Sequence, residues 1–278
     1  MKIVAETCAD AHEAAFDAIV NSHSELDIRT HVDKKEFTLE FLSQEQGDDF
    51  LHIKILHPEQ EPQVSPGSNF GPLFTEAYKK QFLTLTSPRA DGKQAVYTYW
   101  NRSKDYPHYD DASDETYDAT DGDVTGEWVG DGDGRGYDQV SVLIDKLARD
   151  PNNRRGVIVT WNPLLDAESL EPPCMDFIQF IIRDNYLHMR VVFRSQDILL
   201  GLPENMPGCA AFFRYVLQGL WIKQPSVRDR DMIRMGTLTI ISLTPHIYKK
   251  RDGNDFDKMR QHIFAKKTLG QWKVIIKE

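Results

Sequence analysis

The stretch from Pro172 to Asn205, PPCMDFIQFIIRDNYLHMRVVFRSQDILLGLPEN, constrains this chain more than any other. Two apolar runs flank Asp184-Asn185, and Leu187, Met189, Val191 and Phe193 alternate with His188, Arg190 and Val192. A period-two pattern around a turn dipeptide predicts an antiparallel hairpin. Such a hairpin brings its open ends together, so Cys174 at the start of one strand meets Arg194 at the end of its neighbour. A guanidinium beside a thiol favours the thiolate, which a free cysteine of pKa about 8.5 needs in order to act at neutral pH. Arg194 and Ser195 suit a phosphate, with a bidentate fork and a hydroxyl donor. Asp197 adds a carboxylate. Gly201 allows close backbone approach, Pro203 ends the extended segment, and Asn205 precedes a helix expected from Met206 to Lys223. The Asn205 amide both donates and accepts, as O4 and N3–H of uracil require. Nucleophile, anion-binding pair, carboxylate and amide on consecutive elements are the equipment of a nucleotide-modifying site.

The rest of the chain sets the frame. Its 278 residues suffice for one α/β domain with a large core. A formal net charge of -10 argues against binding polymeric nucleic acid. No apolar stretch is long enough for a membrane span and no signal peptide is visible. Cys8, Cys174 and Cys209 match no metal spacing, so no metal is expected, and a reducing, cytoplasmic setting (the host cytoplasm for a viral protein) is the simpler reading. Residues 105–136 are acidic and Gly-rich without a calcium-loop register, which makes them a solvated insertion.

Periodicity places the other elements. Residues 7–22 form an amphipathic helix capped by Thr7, with Ala11, Ala14, Ala15, Ala18 and Ile19 inward and Cys8 a bystander in its first turn. Phe37–Leu42 and Phe50–Leu56 alternate as strands around Gln46-Gly47-Asp48, and residues 57–72 form a long loop. Thr75–Leu85 is helical with Phe74, Tyr78, Phe82 and Leu85 on one side. Val96–Arg102 has the pattern of a half-buried aromatic strand. Tyr137–Arg149 is a helix with Val140, Leu143, Ile144 and Leu147 inward, and Gly156–Trp161 and Gly236–Leu243 are strands.

Pro-Pro-Cys174, then Arg194-Ser195-x-Asp197, then Gly201-Leu-Pro-x-Asn205 resemble the thymidylate synthase family, which includes the deoxypyrimidylate hydroxymethylases. The likeness extends from Tyr137-Asp138-Gln139 through Asp150-Pro-Asn-Asn-Arg154-Arg155 to His246-Ile-Tyr248, roughly residues 137–250. It implies a large mixed, mostly antiparallel sheet with packed helices, and a homodimer joined sheet to sheet. It also implies that Arg154 and Arg155 cross to the neighbouring subunit's phosphate, and that His246 and Tyr248 bind the sugar hydroxyl. Glu76 falls where the family carries a glutamate that organises water and proton transfer. Tyr97 (or its rival Tyr99) falls where a tyrosine assists proton abstraction from C5. The family's N-terminal phosphate-binding Thr-Lys-Arg has no match, with Arg29 or Arg89 as substitutes, and Thr244-Pro245 replaces its Gly-Asp.

The chemistry implied is attack of Cys174 on C6 of a pyrimidine nucleoside monophosphate, making C5 nucleophilic toward 5,10-methylenetetrahydrofolate or a related reduced pterin. Hydride then gives a methyl group, and water gives hydroxymethyl. Leu269–Lys277 resembles the family's penultimate strand, without the tail that closes over the folate in longer synthases. That difference and the lack of the family's tryptophans over the folate favour water, hence hydroxymethylation. Asn205 favours uracil, hence dUMP. The alternatives are reductive methylation and, outside catalysis, a nucleotide-binding protein on the same fold.

Overall fold

The computed structural model describes residues 2–21, 26–32, 35–41, 50–85, 97–106, 136–169, 171–224, 232–248, 251–272 and 275–277. The hairpin forms as its alternation requires. Strands β6 (Met175–Arg183) and β7 (Tyr186–Phe193) pair antiparallel and close at Arg183↔Tyr186. Asp184 and Asn185 have φ of 52° and 62°, the left-handed backbone that a two-residue hairpin turn needs. Short polar side chains adopt it at least cost after glycine. Leu187, Met189, Val191 and Phe193 are all buried.

Among the described residues, this hairpin is joined by β1 (Lys2–Ala5), β4 (Leu51–Ile55), β5 (Val157–Val159), β9 (Arg234–Ser242) and β11 (Ile275–Lys277). They make a seven-stranded sheet of order β11-β1-β4-β9-β7-β6-β5. The sheet is mixed: β1/β4 and β7/β9 run parallel and the other neighbours antiparallel. The large, mostly antiparallel sheet is therefore as expected.

The pairing of the N-terminal strands differs from the sequence pattern. β3 (Lys35–Phe41) pairs with β2 (Leu26–Val32), not with β4. Both edges of β4 are occupied, by β1 and β9, and its alternate residues Leu51, Ile53 and Ile55 enter the core.

One face of the sheet is covered by α1 (Cys8–Asn21) and the long α6 (Gly201–Lys223). Thr7 caps α1, accepting from the Asp10 N–H at 3.2 Å. The five predicted inward residues of α1 are buried. Helices α2 (Pro72–Phe82) and α4 (Gln139–Arg149) pack on α6 at glycines. A Cβ on Gly208 would lie 2.4 Å from the Phe82 ring, and one on Gly219 2.6 Å from Ile144. Helix α7 (Gly253–Thr268) was not foreseen, because its inward face is only Phe256, Met259 and Ile263 amid charge. It docks on α1 through Glu13, 1% exposed, which accepts from Ser65 at 2.7 Å and pairs with His262 at 2.9 Å. Leu269 is the cap residue of α7, so the terminal strand is only Ile275–Lys277.

Candidate active site

Cys174 stands one residue before β6, at the mouth of the hairpin. The backbone N–H of Arg194 donates to the Cys174 carbonyl at 2.9 Å. The Arg194 guanidinium folds back over the same turn, donating to the carbonyls of Pro173 at 2.8 Å and Pro172 at 2.9 Å. One of its nitrogens lies 3.7 Å from the Cys174 sulfur, and Trp161 lies under it at 5.6 Å. Two prolines in sequence limit the backbone to extended conformations, and this leaves their carbonyls free to receive the fork.

The expected thiolate does not follow from this contact. Burial pushes the Cys174 thiol above its ordinary value; Arg194 pulls the other way and Asp176 adds to the rise. Desolvation outweighs one cation, so the resting group is a thiol. Cys8 and Cys209 are fully buried, and burial pushes the Cys8 thiol up to about 12. Outside Arg194, a groove of about 360 Å³ is lined by Val159, Trp161, Asp176 and Phe177. Burial raises Asp176 to about 6, and its Oδ1 is buried without a hydrogen-bond partner.

The Arg-Ser-x-Asp segment leads into β8 (Gln196–Asp197), which pairs parallel with β10 (Pro245–His246), setting His246 opposite Asp197. Ser195 Oγ is 3.4 Å from His246 Nδ1. Burial lowers His246, keeping it neutral near pH 7, while Asp197 opposes. Asp197 Oδ1 accepts the backbone N–H groups of Leu199 and Leu200 at 3.0 and 3.1 Å. Its Oδ2 accepts from Arg251 at 2.8 Å. Arg251 also lies 4.1 Å over the Tyr248 ring, which meets His246 edge-on at 4.9 Å.

Helix α6 starts earlier than its apolar pattern indicates, at Gly201, so Asn205 is in its second turn and does not precede it. Pro203 sits in the first turn, where a missing N–H costs nothing. Gly201, Glu204, Asn205 and Gly208 share one helical face. A Cβ on Gly201 would stand 3.4 Å from Asp197 Cβ and 3.9 Å from Asn205 Nδ2, so that face looks toward Asp197. On its far side Tyr78 of α2 donates to Asn205 Oδ1 at 3.2 Å.

Tyr97 and Tyr99 do not form a strand. Thr98 caps a short helix, α3 (Tyr99–Lys104), accepting from the Asn101 N–H at 2.9 Å. Burial, followed by the neighbouring Cys174, pushes Tyr97 up to about 12. Tyr99 lies behind it, 5.6 Å from Tyr97 and 5.5 Å from Phe82. The next turn carries Arg102, which forms a bidentate pair with Asp166 of the short helix α5 (Pro163–Asp166) at 2.7 and 3.1 Å, both side chains 2% exposed.

The structure thus gathers Cys174, Arg194, Ser195, Asp197, Gly201, Asn205, Tyr97, His246 and Tyr248. It does not bring Glu76 to them. The inward residues of α2 are Thr75, Tyr78 and Phe82, and Glu76 points outward, 61% exposed and paired with Lys79 at 2.6 Å. Phe74 and Leu85, expected inward, are 41% and 50% exposed. Arg154 and Arg155 are exposed in the turn before β5, held by their backbones: Gln179 donates to the Arg154 carbonyl and Arg155 N–H to Asn153. Arg89, the Arg29 side chain and residues 107–135 of the acidic insertion lie outside the described residues.

Sequence reasoning missed Tyr78, Glu204 and Arg251 as neighbours of the site. Tyr78 carried the only available signal, its place on the apolar side of α2. Glu204 is the variable letter of a Gly-Leu-Pro-x-Asn motif, and Arg251 belongs to no motif.

A family model described as thymidylate synthase matches residues 82–262, more than half of the 278-residue chain. A protein of Methanosarcina barkeri named "Putative thymidylate synthase" is 36% identical over 111 residues, 40% of this chain and 46% of that protein. A protein of the same name from Methanocaldococcus jannaschii is 32% identical over 129 residues, 45% of this chain and 52% of its own length. Another, from Methanothermobacter marburgensis, is 29% identical over 174 residues, covering 63% and 58%. The chain spans about half the length of the curated relatives it matches.

Proposed function

This chain belongs to the thymidylate synthase family, and we propose that it transfers a one-carbon unit to C5 of a pyrimidine nucleoside monophosphate, dUMP in the first instance. The observation that carries the reading is the Arg194 fork, 3.7 Å from the Cys174 sulfur and anchored on the Pro172 and Pro173 carbonyls. It sets a fixed cation beside the thiol that this reading makes the nucleophile. Uracil C5 is a poor nucleophile until sulfur bonds to C6 and makes the ring an enolate, so covalent catalysis answers a real barrier.

The roles follow from position. Cys174 gives its proton to water as substrate binds, and its sulfur bonds to C6 while the C5–C6 electron pair moves onto the ring as the C4 enolate. Arg194 and Ser195 hold the phosphate, and Arg154 and Arg155 of a second copy complete that site across a homodimer. Asn205 reads O4 and N3–H, with Tyr78 fixing its amide. His246 and Tyr248 hold the sugar. Tyr97, beside Cys174, orders the water that receives the C5 proton. Glu76, in this reading, acts only if α2 turns its outer face inward.

The carbon donor, 5,10-methylenetetrahydrofolate, supplies an activated methylene. The residues present fit it: the Asp197 carboxylate, held in place by Arg251, would accept the N–H groups of a pterin edge. We assign hydroxymethylation as the outcome, because the cleft carries carboxyl groups able to take a proton from water. Nothing in the cycle calls for polymeric nucleic acid or a membrane. No helix among the described residues is long and apolar enough to cross one.

The test is mass spectrometry of products from purified protein with dUMP, dCMP, UMP and CMP, each offered with 5,10-methylenetetrahydrofolate. A hydroxymethylated deoxyuridylate is expected. A methylated product with dihydrofolate would make the protein a synthase. Neither turnover nor tritium release from a C5-labelled nucleotide would leave a nucleotide-binding protein.

A further inference from the structure

Resting on that reading, we infer that Glu204 is the proton-handling carboxyl of the cleft and takes the proton of the water that meets the reacting carbon. Its placement is the first ground. Glu204 shares the Gly201/Asn205/Gly208 face of α6, the face turned toward Asp197 on one side and toward α2 on the other. Asn205, the next residue, is the group that reads the base. Glu204 is therefore beside the base site and not on the outer surface, where Glu76 is.

Its surroundings are the second ground. The charged group that acts on it is the Asp197 carboxylate from β8, already held by Arg251, and its own charge in turn raises the Tyr78 phenol from α2. Neither is a cation, and among the described residues Glu204 forms no hydrogen bond or ion pair. A structural carboxylate in a half-buried place is ordinarily paired. Here burial and the nearby Asp197 charge raise it to about 7. A group that holds and releases a proton near neutral pH is suited to general acid–base work.

The step balances without an oxidant or reductant. A water oxygen bonds to the exocyclic methylene carbon, and one of its protons passes to the Glu204 carboxylate. The electron pair of the C5–methylene double bond moves onto the ring as the C4 enolate. Collapse of that enolate restores the C5–C6 double bond and expels the Cys174 thiolate. The proton on Glu204 then returns to solvent or to the departing sulfur. Tyr78, bound to Asn205, keeps its own proton and orders the water.

The bland alternative is a carboxylate in the first turn of α6 that answers the helix dipole. The experiment separates the two. Wild type, Glu204→Gln and Glu204→Asp are compared for kcat, KM, pH profile and thermal unfolding on the nucleotide the wild type turns over. Covalent trapping with 5-fluoro-dUMP runs beside them. Glu204→Gln is expected to lower kcat about 100-fold with KM within about threefold and adduct formation kept. The rise of wild-type kcat through an ionisation near 7 is expected to vanish in that variant, and Glu204→Asp to recover part of the rate. Unchanged kcat and pH profile in a folded Glu204→Gln protein overturn the assignment of Glu204 alone. A wild type that neither turns over nor traps adduct overturns the one-carbon reading and this step with it.

Discussion

The hydroxyl of Tyr78 donates to Oδ1 of Asn205 at 3.2 Å and joins α2 to the second turn of α6. Burial, followed by the charge of Glu204, pushes Tyr78 well above its ordinary value, so it remains a donor across the working pH range. A donor on Oδ1 holds the amide in one of its two orientations, with Nδ2 free to meet a carbonyl. The second lone pair of Oδ1 can still accept a ring N–H.

Tyr78→Phe is therefore expected to loosen base choice more than rate. The ratio of kcat/KM for uracil over cytosine nucleotides should fall about tenfold, the ~1.4 kcal/mol scale of one hydrogen bond. Competition assays with the two nucleotides measure it, and an unchanged ratio would show that Asn205 needs no partner.

Arg194→Lys should make Cys174 less reactive. Burial already raises the thiol and Arg194 opposes the rise, so weakening that contact moves the pKa further up. Alkylation by iodoacetamide followed against pH should shift to higher pH. Cys8 and Cys209, both fully buried, should contribute little signal.

Arg102→Met should destabilise the fold by about 3–5 kcal/mol, because it leaves Asp166 charged and buried. Both members of the pair are 2% exposed, and Asp166 also accepts the Asn162 N–H at 2.7 Å. Urea unfolding reports the loss. The double variant Arg102→Met with Asp166→Leu should recover much of it.

Glu204 should make stability pH-dependent. Its folded pKa, about 7, lies above the 4.5 of the free side chain, so the folded state binds the proton more tightly. That contribution is full below pH 4.5 and is lost as pH rises through about 7. Glu204→Gln should thus gain about 1 kcal/mol, a few degrees in Tm, at pH 8 relative to wild type. It should gain nothing at pH 4. Thermal scans at the two pH values decide it.

What could be read directly from the chain was what neighbours in sequence build. The Asp184-Asn185 turn and the alternation beside it suffice to bring Cys174 to Arg194, because a hairpin closes on itself. The same holds for α1 and α4, whose inward residues repeat at helical spacing and have one apolar side each. The resemblance named the family on those same local motifs. What only the tertiary structure decided rests on contacts far apart in the chain. Tyr78 and not Glu76 faces Asn205, across 127 residues, because packing on α6 sets how α2 is rolled. Arg251 holds Asp197 from 54 residues away. The state of the Cys174 thiol was also hidden, since burial by the whole fold outweighs the one cation that sequence could place beside it.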